Sequence, residues 1–516
     1  MIVVSRAEAE FHGGQARTGP STWAQQSTWD GMRRWLPEVK PFFTLPRWLD
    51  VPLLLELGDV LDVVGELVLR HESLRTHFDV GANGEVTQRV VGSGTLPVEV
   101  HDRPADDPVG FGDIVGDCWR RGAGTPFDHA AELPIRLSVA LHEGIPVLVV
   151  FVVSHLAADH TGADLLAAEL TALLRARVDG VPPPAPRKAW QPLDIARYER
   201  SPEGQLRNVE ALRHLRAQLQ RMPAYLERVE PATPRYVGAD LASDVLPVAV
   251  RRAARRCRTT TSVVLLAITT ALVGRVHPGP RCRLDVMQGN RVTPELMGSV
   301  TTLNQVVRTV VDLDGDSFTD LLRRAEHTMR EARAVSHYDA RAEQEVLRAW
   351  GGVLEPGVQF NDMWSLLPKP RTAPADPDPS TTELTWPATS EAEDMALYLD
   401  IKGTPERMVL GLMADTAVLT RAEIGAFLRA FEHLATALAE HDVTLESVAE
   451  AFEHDRPAGE YHLAHADPRG PDAGGRSRPG RPGQVGHPPR SPGRPEPQHP
   501  LQPSPGVGAG GGGRPG

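Results

Sequence analysis

Strand-like and helix-like hydrophobic patterns alternate along the first 450 residues. Val51–Leu69 carries Leu54, Leu57, Leu61, Val64 and Val68 at helical spacing. Two short runs, His77–Val80 and Val86–Val91, flank Asn83-Gly84, a pair suited to a tight turn, and together predict a hairpin. Val98–His101 reads as a strand and Val109–Arg120 as a helix. Ile135–His142 and Val147–Val153 form a further strand pair around Glu143-Gly144. The second of these, VLVVFVV, has no polar position, so it predicts a strand covered on both faces. It delivers the chain to Ser154-His155, and a helix is expected over Gly162–Arg175.

A Pro-rich bridge at Val181–Pro186 marks a boundary. Beyond it, helices are expected over Glu203–Leu226, Leu246–Cys257, Thr261–Val276, Phe318–Arg333 and Arg421–Glu440. Strands are expected at Arg283–Met287, Asn304–Val311, Gly357–Phe360, Tyr398–Ile401 and Met408–Met413. At the start, a strand at Ile2–Val4 precedes a loop holding Trp23, Trp29, Trp35 and Trp48. These patterns divide the chain into an N-terminal lobe (1–180) and a C-terminal lobe (181–454), each a mixed sheet with flanking helices. Residues 455–516 are rich in Pro, Gly, Arg and His with almost no aliphatics. Such a segment cannot offset its ordering entropy by burial, and a disordered tail is expected.

Composition narrows the function classes. Hydrophobic residues make up 41% of the 516, enough for buried cores over most of the length. A net charge of −12 argues against a nucleic-acid partner. Cys118, Cys257 and Cys282 are far apart, with no CxxC or Cys/His cluster, so neither a zinc site nor a disulfide framework is expected. Cys257 and Cys282 read as packed residues. The N-terminus lacks a signal-peptide pattern, and the most apolar stretch, Ser262–Val276, is too short to span a bilayer. A cytoplasmic location with no membrane association is expected. No phosphate loop, dinucleotide fingerprint or metal motif is present, so no bound cofactor is expected.

The chemistry centres on Ser154-His155-Leu156-Ala157-Ala158-Asp159. A His just past a buried strand is held by rigid backbone, as proton transfer requires. Such a group can take a proton from an attacking amine or hydroxyl during acyl transfer. The same HxxxD spacing also describes a loop histidine beside a helix-capping Asp. His101, His129, His142 and His337 fall in no motif and are assigned no role.

The surrounding motifs resolve this choice. Arg70-His71-Glu72-Ser73-Leu74-Arg75-Thr76-His77-Phe78 resembles the RHExLRTxF signature of nonribosomal peptide synthetase condensation domains. Thr22-Trp23-Ala24-Gln25-Gln26-Ser27-Thr28-Trp29 resembles the family's SxAQxxxW opening. Ser154 to Asp159 is similar to its HHxxxDG signature, Gly289-Asn290-Arg291 through Gly298 to its GRxxPELxxxxG stretch, and Leu303–Arg308 to its NTxxxR strand. The resemblance runs in order over about residues 1–450.

The resemblance implies two chloramphenicol-acetyltransferase-like lobes in a V-shaped pseudo-dimer, an α/β (α+β) fold, with the site in a tunnel between them. It implies a stand-alone acyltransferase that joins a thioester-bound acyl or aminoacyl group to an amine. The donor would arrive on the phosphopantetheine of a separate carrier protein, or on coenzyme A, and the acceptor as a small-molecule amine or alcohol. His155 would be the reacting group, Asp159 a structural carboxylate paired with Arg291, and Arg70 and Arg75 would hold the N-terminal lobe together near the site. Ser154 stands where the family has its first His, and His160 where it has a Gly, with Gly162 two residues late. His160, Gly162, Asn304 and Asn361 are candidates to line the tunnel. The Trp190–Tyr198 segment is an altered form of the family's YxDxAxW motif. Two other readings stay open: a catalytically silent module that recruits carrier proteins, and an ester-forming O-acyltransferase.

Overall fold

The computed structural model describes residues 3–34, 43–103, 110–223, 228–276, 279–314, 317–351, 356–368, 381–391, 393 and 395–454. Trp35 and the expected tail, 455–516, lie outside them.

The N-terminal half builds a five-stranded sheet. Its strands are β1 (Val3–Phe11), β3 (Thr44–Asp50), β6 (Gly94–Arg103), β7 (Ile135–His142) and β8 (Ile145–Ser154), in the order β1-β6-β7-β8-β3. Only β6 and β7 run parallel. A small sheet, β2-β5-β4, joins β2 (Arg17–Pro20), β4 (Thr76–Val80) and β5 (Val86–Val90), the last two forming the hairpin that Asn83-Gly84 predicted. Helices α1 (Trp23–Arg34), α2 (Leu57–Arg70), α3 (Phe111–Ala123) and α4 (His160–Asp179) complete this half.

The apolar run in β8 is explained by what covers it. Val149, Phe151 and Val153 enter the large core shared with α2 and α4. Leu148 and Val150 point to the other face, into a smaller cluster with Ile114, Val115 and Cys118 of α3. Alternation puts successive residues on opposite faces, so a strand covered on both has no place for a polar side chain. Burial pushes the Cys118 thiol up to about 11.

Next come α5 (Pro192–Glu199) and α6 (Pro202–Arg221). The C-terminal half has a seven-stranded sheet, ordered β11-β10-β12-β14-β15-β9-β13. Its strands are β9 (Tyr236–Ser243), β10 (Arg281–Gln288), β11 (Gln305–Asp312), β12 (Val358–Asp362), β13 (Glu383–Ser390), β14 (Leu397–Gly403) and β15 (Met408–Asp415). The pairs β10–β12 and β12–β14 are parallel. Helices α7 (Val245–Arg256), α8 (Thr261–Val276), α9 (Pro294–Met297), α10 (Phe318–Ala334), α11 (Ala340–Trp350), α12 (Arg421–Glu440) and α13 (Leu445–His454) complete it. Inward residues of the sheet, such as Leu241, Leu284, Leu399 and Leu410, pack with α7, α8, α10 and α12 into a second core. Among the described residues no single helix is long and apolar enough to cross a membrane. The apolar α8 is instead the central helix of this core.

Several expectations change. The tryptophan-rich start is not a loop: Trp23 and Trp29 lie on α1 and Trp48 on β3. The helix expected at 162 begins at His160, because Asp159 caps it. The helix expected over Glu203–Leu226 ends at Arg221. Asn304 precedes its strand instead of opening it.

Candidate active site

His155 sits on a tight turn between β8 and α4. Three separate parts of the sequence hold that turn. The Ser154 carbonyl accepts from Ala157 N at 2.9 Å and Ala158 N at 3.2 Å, and the His155 N–H donates to Phe43 O at 2.8 Å. Gln25, from the opening motif, is fully buried and donates its amide to Leu156 O at 3.2 Å. Gln25 was not among the expected site residues, although its motif was visible.

Asp159 serves two purposes. It caps α4, accepting from Gly162 N at 2.8 Å. It also receives a two-pronged ion pair from Arg291, at 2.6 and 2.8 Å, and the Leu303 N–H at 3.1 Å. Four donors therefore satisfy a carboxylate that is almost wholly buried, as an ionised buried group requires. Arg291 is placed by Asn290, which takes a left-handed backbone (φ 54°) and anchors its side chain on Leu303 O and Ser336 O. Asn tolerates this conformation better than most residues. The segment 289–304 thus belongs to the C-terminal half yet closes under the His155 turn. Its Val300 packs into the N-terminal core.

Thr302 on this segment reaches His155. Its hydroxyl lies 3.4 Å from Nδ1 and donates to Asn304 Oδ1 at 3.0 Å. The single hydroxyl proton is then spent, so Nδ1–H donates to Thr302 and Nε2 keeps its lone pair. Burial lowers the His155 pKa, with Asp159 and a hydrogen bond from the ring to its own backbone opposing. The imidazole is therefore neutral at neutral pH and can accept a proton at Nε2.

Ser154 is fully buried, and His129 meets it: Nε2 is 2.7 Å from Oγ. His129 had been assigned no role, and no sequence motif links the two. His337, also left without a role, is 2.8 Å from the buried Glu199, whose other oxygen accepts from Trp23 N.

The other expected residues divide. His160, the first residue of α4, is exposed to solvent. Crowding by protein, then the Arg47 charge, push its pKa down. Arg47 reaches its Nδ1 at 3.5 Å and Asp164 at 2.6 Å. Lys402 of β14 also acts on His160 electrostatically, which brings the two halves together here. Lys402 pairs with Asp400 at 3.4 Å, and Asn361 donates to Asp400 and to the Tyr398 hydroxyl, both at 3.1 Å. Tyr398, Asp400 and Lys402 alternate along β14 away from the helix-covered core, so they form a polar sheet face.

Gly162 does not face open space. It is buried, and a Cβ there would lie a tight 3.2 Å from Ala158 Cβ in the preceding turn and in ordinary contact, at 3.4 Å, with Thr301 O. Arg70 and Arg75 make none of the contacts around His155 among the described residues. Arg70 bridges Glu66 and Glu169, and Arg75 donates to Leu69 O, Gln15 O and Val91 O. Both arginines brace the N-terminal half.

Comparison with known proteins agrees with this architecture. The family model for the Condensation domain matches residues 45–451. The chain belongs to the condensation domain family. It is 28% identical over 345 residues to a probable non-canonical nonribosomal peptide synthetase, CymA, of Salinispora arenicola, covering 63% of this chain. It is 25% identical over 401 residues to the phosphinothricin tripeptide synthetase PhsC of Streptomyces viridochromogenes, covering 74% of this chain. The match spans 4% and 37% of those two proteins. In fold it is similar to the first condensation domain of the calcium-dependent antibiotic synthetase, solved with a substrate analogue. The TM-score is 0.62 at 17% identity, over 83% of this chain and 98% of that one.

Proposed function

We propose that the domain forms an amide bond, transferring a thioester-bound acyl or aminoacyl group from a carrier protein to an amine. One observation carries the reading: a neutral imidazole with Nδ1 tied to Thr302 and Nε2 free, on a turn braced from both halves. The acceptor nitrogen attacks the thioester carbonyl while His155 Nε2 takes its proton. The tetrahedral intermediate then collapses, the C–S bond breaks, and the leaving thiolate takes that proton back. The carbonyl oxygen carries the negative charge while the intermediate lasts and passes it to the leaving sulfur as the C=O bond re-forms. An alcohol acceptor would use the same steps and give an ester.

The replacement of the family's first His by Ser154 favours a second reading, a carrier-recruiting module without activity. The intact set of His155, Asp159, Arg291 and Thr302 supports the active one. The test is product analysis by mass spectrometry, with carrier-loaded thioesters and a panel of amines and alcohols. His155→Ala is expected to lose roughly 10²–10⁴-fold in turnover. Equal turnover by wild type and variant would remove His155 from the mechanism, and carrier binding without product from either would favour recruitment.

A further inference from the structure

The hydroxyl of Ser154 needs an acceptor, because the residue is wholly buried. Its oxygen already accepts from Leu156 N at 3.3 Å. Among the described residues the acceptor within reach of the hydroxyl proton is His129 Nε2, at 2.7 Å. The imidazole is held from several sides: its ring packs edge-on against Trp29 and Phe78, and at a tilt against Phe127. The His129 backbone carbonyl accepts from Phe78 N at 2.7 Å. A fully buried hydroxyl offers no face to a substrate, so this pair is not a nucleophile and its base. It instead joins the loop before β7 to the first residue of the turn that carries His155.

We propose that His129 is a positioning residue, supplying from another segment the imidazole that position 154 lacks, and that the His129–Ser154 bond sets the orientation of His155. The proposal deepens the acyl-transfer reading and rests on it for its kinetic test. Without the bond, the Ser154 hydroxyl turns, Leu156 N loses its acceptor, and the turn gains freedom one residue from the reacting ring. Gln25 holds the Leu156 carbonyl from the other side, so the turn should loosen without collapsing.

The test compares the full chain with Ser154→Ala, His129→Ala, the double variant S154A/H129A, His129→Gln and the double variant S154H/H129A. Ser154→Ala and His129→Ala should each lower kcat roughly 10–100-fold with KM little changed, and should be no worse together than singly. His129→Gln offers an amide oxygen to the hydroxyl and should recover part of the loss. S154H/H129A should recover more than His129→Ala alone, since it returns the ring to position 154. In parallel, ¹⁵N-histidine NMR reads the His155 ring without needing turnover. A single Nδ1–H tautomer is expected in the wild type and a mixed or broadened signal in Ser154→Ala. Unchanged kcat and an unchanged His155 signal, with only a lower melting temperature, would reduce the pair to core packing and overturn the proposal. If the wild type transfers no acyl group, the functional reading fails. The NMR comparison then decides the positioning claim alone: a disturbed His155 signal upholds it and an undisturbed one overturns it.

Discussion

At the scale of single residues, the proposed chemistry depends on the tautomer of His155. Thr302 fixes it with one hydroxyl whose proton goes to Asn304. Thr302→Val keeps the shape and removes the oxygen. The ring then keeps only the hydrogen bond to its own backbone, its proton is freer to move to Nε2, and that tautomer cannot accept a proton from the acceptor. We expect kcat to fall roughly tenfold or more with KM little changed, and Thr302→Ser to retain most of the activity. Equal loss in the Ser and Val variants would mean that packing by the methyl group, and not the hydroxyl, orients the ring. Nothing in the sequence pointed to Thr302, because it stands 147 residues from its partner. His129 was missed for the same reason. Residue types at fixed spacing reveal a site on one element, whereas these contacts arise only when separate segments fold together.

At the scale of elements, the sequence was informative where periodicity is strong. The VLVVFVV run announced β8, and with it the position of His155, because a doubly covered strand leaves a continuous apolar signature. The strand β9 was not legible, since Gly238 and Asp240 interrupt its pattern, nor was β13, with Pro387 in an alternating, half-exposed run at the sheet edge. Helix α1 carries too many polar residues to show a stripe. The arginines of the RHExLRTxF-like motif were expected to hold the N-terminal lobe together, and Arg70 does so between elements. With His71 it holds Glu169 and so locks α2 to α4, the helix that follows the His155 turn. Burial opposes ionisation of Glu169, but the His71 and Arg70 hydrogen bonds outweigh it and bring its pKa from 4.5 to about 2. The unfolded chain therefore binds the extra proton as pH falls. The stabilisation is fully present above about pH 4.5 and is lost as pH drops towards 2. A shift of this size corresponds to about 3 kcal/mol. Urea denaturation of wild type and Glu169→Gln should differ by an amount that shrinks over that window. A gap independent of pH would assign the effect to packing.

At the scale of the whole molecule, two hydrophobic cores meet through the segment 289–304. One core gathers residues from Ala9 to Leu174 and takes in Val300; the other runs from Val237 to Phe452. The Asp159–Arg291 pair crosses this junction directly beneath His155. It is nearly buried, so each partner depends on the other. Arg291→Ala strands the Asp159 carboxylate with only two backbone donors, Gly162 N and Leu303 N. A loss of roughly 3–5 kcal/mol is typical when a buried pair is broken from one side. Asp159→Asn removes the charge but keeps an acceptor, and it leaves Arg291 with the Gly289, Ser299 and Thr301 carbonyls. It should therefore cost less. The double variant, Asp159→Asn with Arg291→Ala, should be less damaged than Arg291→Ala alone, because no uncompensated charge remains buried. Calorimetry on the three variants, together with turnover, checks this. Additive losses would show that the two residues act independently and that the junction is held by Val300 and the backbone contacts. A coupled result, with activity falling in step with the junction and not with overall stability, would show that the two halves build the site only while they are clasped here.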